Sequence, residues 1–230
     1  MNKPVELGLV DAAPYPYPLP SNKPCLVIID MQRDFMEPGG FGESLGNDVA
    51  LLRVVIEPLT KLLATCRKLG IPVVHTREAH APDMSDCPPA KRYRGNSALK
   101  IGDEGPMGRI LISDSAGNEI IPELAPIDGE FVVIKPGKGA FYNTDLVAHL
   151  QQLGCIHLLM TGVTTEVCVQ TTMREANDRG FECLLVEDCT ESYFPEFKRS
   201  TIEMIIAQGG IVGWCTKCDT LISALEKTYG

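Results

Sequence analysis

The 230-residue sequence contains no apolar run of about 18 residues, which is the length that a membrane-spanning helix requires. Its first segment, MNKPVELGLVDAAPYPYPLP, has neither the apolar core of a signal peptide nor an Arg-rich amphipathic pattern. We therefore expect a protein that has no membrane partner and resides in the cytoplasm.

Basic residues are also scarce, with 21 Lys and Arg against 30 Asp and Glu and a formal net charge of -9. No stripe of Lys and Arg occurs along the chain that could hold a phosphate backbone. These observations exclude nucleic acid as an expected partner and leave small molecules and other proteins.

Paired Cys-x-x-Cys units of the zinc-ribbon type are missing, although the chain has nine cysteines. Cys215 and Cys218 form one such unit, but a structural zinc site needs a second pair of ligands. We expect most cysteines to be reduced core residues. One alternative stays open, a thiol redox function of Cys215 and Cys218, which would require a cysteine of low pKa at a helix N-terminus.

Short apolar runs alternate with helical patterns along a chain that is 44% hydrophobic. Continuous apolar runs indicate strands that are covered on both faces. We predict a single domain over residues 1–230 with a three-layer α/β/α fold and a mainly parallel six-stranded sheet. The predicted strands are 25–30, 71–76, 131–135, 157–162, 182–188 and 209–214, and the predicted helices are 48–69, 143–153, 165–179, 195–208 and 216–228.

The interval 77–130 breaks this alternation, because it holds six prolines among glycines and charged residues. An irregular insertion of this length in a compact domain is often a binding loop or a lid. A contact between subunits is the other interpretation, and the sequence favours neither.

Candidate catalytic residues follow from the rule that ligands of a parallel sheet bind beyond the carboxyl ends of its strands. Asp30 ends the run CLVII, where a carboxylate can act as a base. Lys135 ends the run FVVI, and an ammonium beside a thiol favours the thiolate. Each residue alone also has an ordinary interpretation, as a capping aspartate or a strand-end lysine.

Cys168 is the candidate nucleophile, because TGVTTEVC leads from a predicted strand through a Thr-rich turn into a helix. If Thr165 caps that helix, Cys168 lies in its first turn. Free backbone N–H groups and the helix dipole there lower the pKa of a thiol and can hold an oxyanion. A buried, inert cysteine is the alternative, and the combination with Asp30 and Lys135 favours chemistry.

Three segments, in this order and spacing, resemble the isochorismatase-like family of cysteine hydrolases. They are IIDMQRDF (28–35), KPGKGAFYNTDL (135–146) and TGVTTEVCVQTTMREANDRG (161–180). The resemblance extends over about residues 15–225. It implies a hydrolase with the isochorismatase-like three-layer α/β/α fold that needs no cofactor and forms a homotetramer.

The resemblance further implies that Asp30, Lys135 and Cys168 form a catalytic triad. It places a cis peptide between Val163 and Thr164, which would turn backbone N–H groups toward the substrate. Lys138 is a rival for the lysine, but Lys135 stands six residues before Phe141, as the lysine of the family does before its aromatic residue. The cysteine favours C–N bond hydrolysis, because members that act on isochorismate need no acyl-enzyme.

Within the family the chain is similar to the biuret and triuret hydrolases, through APYPYPL (13–19), HTREAH (75–80), GPMGRIL (105–111) and AQGG (207–210). This likeness implies that Gln208 reads the urea amide, since a primary amide both donates and accepts hydrogen bonds. We expect Phe35 and Tyr142 to wall the pocket and Glu78, on a loop, to read the distal amide. His75 and His80 lie five residues apart and do not match the metal pattern of nicotinamidases, so we expect no metal.

The candidate residues and the resemblance together predict a cysteine amidohydrolase that cleaves a terminal C–N bond of biuret or triuret. The products would be ammonia and an N-carboxy urea such as allophanate. The stretch DCTESYFPEFKR (188–199) departs from the biuret hydrolase pattern, which leaves the chain length of the substrate open. The alternatives are a ureidoacrylate-type or other small-amide hydrolase and a catalytically silent binding protein on the same scaffold.

Overall fold

The computed structural model describes residues 6–95 and 98–230. Ten strands occur in these ranges: β1 Glu6–Val10, β2 Tyr17–Pro20, β3 Cys25–Ile29, β4 Val73–Glu78, β5 Glu104–Gly105, β6 Gly108–Arg109, β7 Phe131–Lys135, β8 His157–Val163, β9 Glu182–Glu191 and β10 Trp214–Thr216.

The same ranges hold eight α-helices: α1 Arg33–Met36, α2 Phe41–Ser44, α3 Ile56–Lys68, α4 Pro89–Arg92, α5 Leu146–Gln152, α6 Gln170–Asp178, α7 Pro195–Gly210 and α8 Cys218–Tyr229. Three 3-10 segments lie at Val49–Val55, Ala116–Asn118 and Pro122–Leu124, and one π-helical turn lies at Thr165–Val169. Within the described residues, none of these helices has the length and apolar composition needed to cross a bilayer.

Six parallel strands form the central sheet in the order β10-β9-β8-β3-β4-β7. Side chains of β3 alternate between two apolar clusters, since successive residues of a strand point to opposite faces. Leu26 and Ile28 join the cluster that contains residues of α3 and α8. Val27 and Ile29 join the cluster that contains residues of α5, α6 and α7. The predicted three-layer α/β/α fold with a parallel six-stranded sheet is confirmed.

For two of the predicted strands, the difference between predicted and observed bounds affects the candidate site. The prediction for β4 ended at Thr76, but the strand continues to Glu78, so Glu78 is a strand end and not a loop residue. The run 209–214 was predicted as a strand, but only Trp214 begins β10. Gly209 and Gly210 have φ values of +78° and +80°, which suit the turn that ends α7 and do not suit a strand.

The N-terminal region adds an antiparallel hairpin that the sequence reading did not predict, formed by β1 and β2. Its connection contains a cis peptide between Ala13 and Pro14. Ala13 also exchanges two backbone hydrogen bonds with Cys215, of 2.8 and 2.9 Å, which attach the connection to the edge of the central sheet. The alternation of prolines with tyrosines in this segment hid the strand pattern, because proline usually interrupts a ladder.

The irregular insertion folds beside the carboxyl ends of β4 and β7. It carries short elements, including α4 and the β5–β6 pair. Its side chains form a small apolar cluster of their own, with Phe35 and Phe41 packed against it. The insertion therefore lies next to the carboxyl ends of the strands, where the candidate catalytic residues are found.

Candidate active site

Three neighbouring strands of the sheet bring charged side chains to one place. Asp30 directly follows β3, Glu78 is the last residue of β4 and Lys135 is the last residue of β7. Since these strands are adjacent and parallel, their carboxyl ends lie side by side at the same end of the sheet. All three side chains are fully buried, although burial of an unpaired charge is strongly unfavourable. The geometry of their pairing is therefore the central feature of the site.

Asp30 and Lys135 form a buried ion pair. The Lys135 Nζ atom lies 2.7 Å from Asp30 Oδ2 and also donates to the Gly137 carbonyl at 3.0 Å. The Thr76 hydroxyl donates to the other oxygen, Asp30 Oδ1, at 2.5 Å. Burial lowers the pKa of Lys135, but the negative groups around it, with Asp30 the strongest, outweigh burial and hold the pKa above its ordinary value. Lys135 is therefore a permanently charged ammonium.

Cys168 lies in the π-helical turn that follows β8, with its side chain buried. Its Sγ atom is 3.8 Å from Glu78 Oε2, and Sγ and carboxylate oxygens of Asp30 and Glu78 all lie within 4.8 Å of one another. Burial raises the pKa of Cys168 well above its usual value, and Lys135 opposes this effect only in part. The expectation that the helix terminus lowers this pKa is wrong, because removal of a thiolate from water dominates. Cys168 rests as a neutral thiol.

Three lysines surround the Glu78 carboxylate. Its Oε1 atom lies 2.8 Å from Lys91 Nζ and 2.9 Å from Lys138 Nζ, and its Oε2 atom lies 3.8 Å from Lys135 Nζ. Burial alone would raise the pKa of Glu78, but the three ammonium groups outweigh it and lower the pKa to about 2. Together with Asp30, the group contains two carboxylates and three ammoniums. It therefore has one positive charge in excess while Cys168 is a thiol.

The main chain of Glu78 is fixed by two amide side chains. Gln32 accepts a hydrogen bond from the Glu78 N–H at 2.7 Å and donates to its carbonyl at 3.1 Å. Asn118 donates to the same carbonyl at 2.8 Å. We did not predict a role for Gln32, Asn118 or Lys91. Gln32 could have been found from its place in the IIDMQRDF segment, whereas nothing in the sequence around Lys91 or Asn118 marks either residue.

The low pKa of Glu78 predicts how it contributes to stability. A carboxylate whose pKa is lower in the folded than in the unfolded protein stabilises the fold above its ordinary value of 4.5. That contribution, about 3 kcal/mol, is lost as the pH falls toward about 2. Glu78→Gln is thus expected to lower the free energy of unfolding at pH 7, and the difference from wild type should shrink below about pH 4.5. Urea unfolding between pH 7 and pH 2.5 measures this.

Glu226→Gln is the matched control for this measurement, because Glu226 forms an ion pair with Lys68 in which both side chains are largely exposed. Exposed pairs contribute at most about 1 kcal/mol. A destabilisation by Glu78→Gln that did not change with pH would contradict the assignment.

Lys138, the rival for the catalytic lysine, lies elsewhere in the site. Its side chain is 45% exposed and contacts both oxygens of Glu78, at 2.9 and 3.2 Å. Burial lowers its pKa, but Glu78 outweighs this effect and the pKa is raised. The structure thus brings Lys135 to Asp30 and Lys138 to Glu78.

Asp30, Glu78 and Cys168 offer atoms of types that bind metal ions. However, the Lys135 ammonium already lies within 2.7 Å of Asp30 and 3.8 Å of Glu78. A divalent cation bound by the same oxygens would meet this ammonium at close range, so the donor set suits a lysine better than a metal. His75 contacts Glu130 and His80 contacts Lys91, so each imidazole has a protein partner.

A cavity of about 220 Å³ opens onto Cys168. Glu78, Lys138, Val163 and Thr164 contribute to its wall, and the peptide bond between Val163 and Thr164 is cis. The remaining lining is largely apolar and includes four aromatic rings, those of Phe35, Phe41, Tyr193 and Phe194. Phe35 and Glu78 thus lie at this cavity, and their roles toward a substrate stay predictions.

The structure does not bring Tyr142 or Gln208 to the cavity. Tyr142 is 63% exposed, next to Gly137, and is not part of the lining. Gln208 is exposed at the far end of α7, whose first turn begins beside Phe194 at the cavity. The eleven residue steps from Pro195 to Ile206 rise roughly 16 Å at 1.5 Å per residue, which separates Gln208 from Cys168 in this chain.

A larger cavity, of about 360 Å³, lies at the opposite end of the strands, where β8, β9 and β10 begin. His157, Glu182 and Trp214 line it. It contains none of the candidate catalytic residues, so its size does not make it the active site.

The Cys215 and Cys218 pair does not provide an accessible redox site. Burial raises the pKa of Cys215 to about 12. Cys218 does begin α8, and a hydrogen bond from Cys189 lowers its pKa, but its side chain is only 1% exposed. A thiol that solvent does not reach cannot exchange readily with another disulfide.

A neutral thiol, a carboxylate and an ammonium lie buried together at the carboxyl ends of parallel strands and open to a small cavity, an arrangement typical of a hydrolase that uses a thiol. Comparisons with known proteins give the family. The Isochorismatase domain matches residues 24–214, and the chain belongs to the isochorismatase family. The protein is therefore a hydrolase of the amidohydrolase kind, and the family predicted from the sequence is confirmed.

Individual relatives are distant but similar over most of the chain. The ureidoacrylate amidohydrolase RutB of Yersinia enterocolitica is 26% identical, with 96% of each chain covered. The crystal structure of a cysteine hydrolase from Pseudomonas syringae pv. phaseolicola has a TM-score of 0.79 and 24% identity, with both chains fully covered. N-carbamoylsarcosine amidase from Thermoplasma acidophilum has a TM-score of 0.63 and 26% identity, and covers 86% of this chain and 97% of its own.

Proposed function

We propose that the protein hydrolyses the terminal C–N bond of a carbamoyl compound, with Cys168 as the nucleophile. The linear ureas biuret and triuret are the first candidates for the substrate. The observation that carries this proposal is the buried grouping of Cys168, Asp30 and Lys135 at the mouth of a small cavity.

Asp30 is the proposed base of this reaction. Because Cys168 rests as a thiol, it must lose a proton before it can attack, and a carboxylate oxygen of Asp30 lies within 4.8 Å of its sulfur. Lys135 holds Asp30 in place and adds a positive charge beside the developing thiolate. Transfer of the proton to Asp30 moves a negative charge to sulfur without changing the total charge of the buried group.

The thiolate attacks the terminal carbonyl carbon, and the carbonyl oxygen becomes an oxyanion. The backbone N–H groups of Thr164 and Cys168 are the proposed donors to this oxygen, because they lie at the turn where the helical segment begins. Collapse of the intermediate breaks the C–N bond, and Asp30 returns its proton so that ammonia leaves. Water then loses a proton to Asp30 and hydrolyses the thioester, which releases an N-carboxy urea and restores the thiol.

Linear ureas fit this site in size and in shape. A cavity of about 220 Å³ accommodates only a small substrate, and the aromatic rings of its wall can stack on a planar urea. Phe35 is the proposed stacking residue and Glu78 the proposed acceptor near the scissile amide. Gln208 and Tyr142 are not part of the proposed site of this chain.

A ureidoacrylate-type amide is the second candidate. The relative that is similar over 96% of both chains is a ureidoacrylate amidohydrolase. In this chain Lys138 lines the cavity with a side chain that is nearly half exposed, so its ammonium is a possible partner for a substrate carboxylate. The two candidates require the same chemistry at Cys168 and differ in the group at the other end of the substrate.

Ammonia release from biuret, triuret, ureidoacrylate and nicotinamide, each supplied separately at equal concentration, tests the proposal. We expect kcat/KM for biuret or triuret to exceed that for the other two by at least about tenfold, which corresponds to about 1.4 kcal/mol of differential transition-state binding. A preference for ureidoacrylate would retain the mechanism and select the second candidate. Absence of ammonia release from all four would refute the proposal.

We further propose, from the resemblance to the family, that the protein is a cytoplasmic homotetramer. Light scattering on the purified protein measures its mass directly. A mass of one 25.1 kDa chain would contradict the tetramer.

A further inference from the structure

Glu166 is a second acidic residue at the cavity, and the proposed mechanism does not use it. It stands two residues before Cys168, in the same π-helical turn, and its side chain lines the cavity together with Lys138. Its Oε2 atom is shielded from solvent and accepts no hydrogen bond from any residue within 6–95 and 98–230. In those ranges no ion pair within 4.0 Å involves Glu166 either.

Several other polar side chains at the cavity already have protein partners. Lys138 contacts both oxygens of Glu78, so its ammonium already has an acceptor in the protein. The Tyr193 hydroxyl donates to the Phe35 carbonyl at 2.8 Å, and the Asn47 amide donates to the Gly42 carbonyl at 3.1 Å. What the cavity wall offers to a ligand is therefore an unpaired acceptor with a negative charge.

We propose that Glu166 determines specificity by accepting a hydrogen bond from an N–H group at the end of the substrate remote from the scissile bond. This inference rests on the proposed function and narrows it. The substrate class becomes carbamoyl compounds that end in an amide or amino group, whereas compounds that end in a carboxylate are disfavoured. A buried acceptor without a donor is unfavourable, and a ligand N–H removes that penalty, whereas a ligand carboxylate adds like-charge repulsion.

A purely structural role of Glu166 would give a different result. A carboxylate in the first turn of a helix stabilises the helix by interaction with its dipole. Removal of the charge would then change the unfolding temperature and would weaken the binding of every ligand equally. A role in specificity instead changes the ratio of affinities for two ligands that differ at one end.

The test uses calorimetric dissociation constants of biuret, which ends in an amide, and of ureidoacrylate, which ends in a carboxylate. Cys168→Ala protein is used so that neither ligand is turned over, and it is compared with the double variant that also carries Glu166→Gln. Glu203→Gln is the matched control, since Glu203 is exposed on α7 and does not line this cavity. Unfolding temperatures of all three proteins report on folding.

We expect Glu166→Gln to raise the dissociation constant of biuret about tenfold and to lower that of ureidoacrylate. Glu203→Gln should change neither dissociation constant. A ratio of the two dissociation constants that stays within about twofold of its starting value would overturn the inference, as would absence of binding by both ligands up to about 10 mM. Failure of the proposed function gives another pattern, in which the ratio shifts as expected but protein with intact Cys168 releases no ammonia from either compound.

Discussion

Replacement of Cys168 by alanine is expected to reduce kcat for ammonia release by a factor of about 10,000 or more. The thiol supplies the bond that carries the acyl group, and no described side chain near it can take its place. Asp30 and Glu78 have carboxylate oxygens within 4.8 Å of the sulfur, but both carboxylates are paired with lysines. Steady-state ammonia release and the amplitude of the first-turnover burst measure the effect.

Cys155→Ala provides the control for this substitution. Cys155 is also buried, but its sulfur donates to the Lys23 carbonyl and lies at the opposite end of the sheet, before β8 begins. It should keep kcat within about twofold and should share any modest change in stability. Retention of turnover in Cys168→Ala beyond about 1% of the wild-type rate would show that another group attacks the substrate.

The positions of the proposed triad could be predicted because each lies where a local pattern ends. Asp30 and Lys135 follow continuous apolar runs, and in a parallel sheet the ends of such runs converge whatever the distance along the chain. Asp30 and Lys135 are 105 residues apart in the 230-residue sequence, yet their charged atoms are 2.7 Å apart. The apolar runs therefore predict the strands, and the parallel sheet that these strands form brings Asp30 and Lys135 together.

The lysines and acids around the triad were harder to predict. Lys91 reaches Glu78 from α4, a single turn in an irregular insertion whose course no apolar periodicity specifies. Glu166 was overlooked because a glutamate next to a helix start is usually a surface residue. The insertion contributes Lys91 to the charged group, and both interpretations of it, a binding loop and a subunit contact, stay predictions.

Gln208 illustrates a different source of error. Its placement depended on the likeness of a four-residue segment, and such a likeness gives no distance to the nucleophile. The two glycines that follow it have φ values of +78° and +80° and end α7. This end of α7 lies near the amino ends of the strands, whereas Cys168 follows the carboxyl end of β8. The predicted strand at 209–214 failed for the same reason, because an apolar run that contains positive-φ glycines forms a turn.

The thiol state of Cys168 links these observations to mechanism. Burial disfavours the thiolate, and the excess positive charge of three lysines over two carboxylates favours it. The balance keeps the nucleophile protonated until a proton can move to Asp30. Any substitution that removes one of the ammoniums should therefore change both stability and reactivity, and the size of the change should depend on how deeply that ammonium is buried.

Lys135→Met is expected to show the larger of these effects. It leaves the Asp30 carboxylate buried without its cation, which typically lowers the free energy of unfolding by about 3–5 kcal/mol. Deprotonation of Cys168 also becomes harder, so kcat should fall by a factor of about 100 or more. Urea unfolding at pH 7, together with kcat, measures these changes.

Lys138→Met separates this explanation from a general effect of removing positive charge. Lys138 is 45% exposed, and Glu78 keeps Lys91 and Lys135 when it is lost, so the free energy of unfolding should fall by less than about 1 kcal/mol. An equal decrease in the free energy of unfolding of the two variants would mean that the total positive charge stabilises the fold, and not the buried pair of Asp30 and Lys135. A Lys135→Met protein as stable as wild type would contradict the role assigned to the buried ion pair of Lys135 and Asp30.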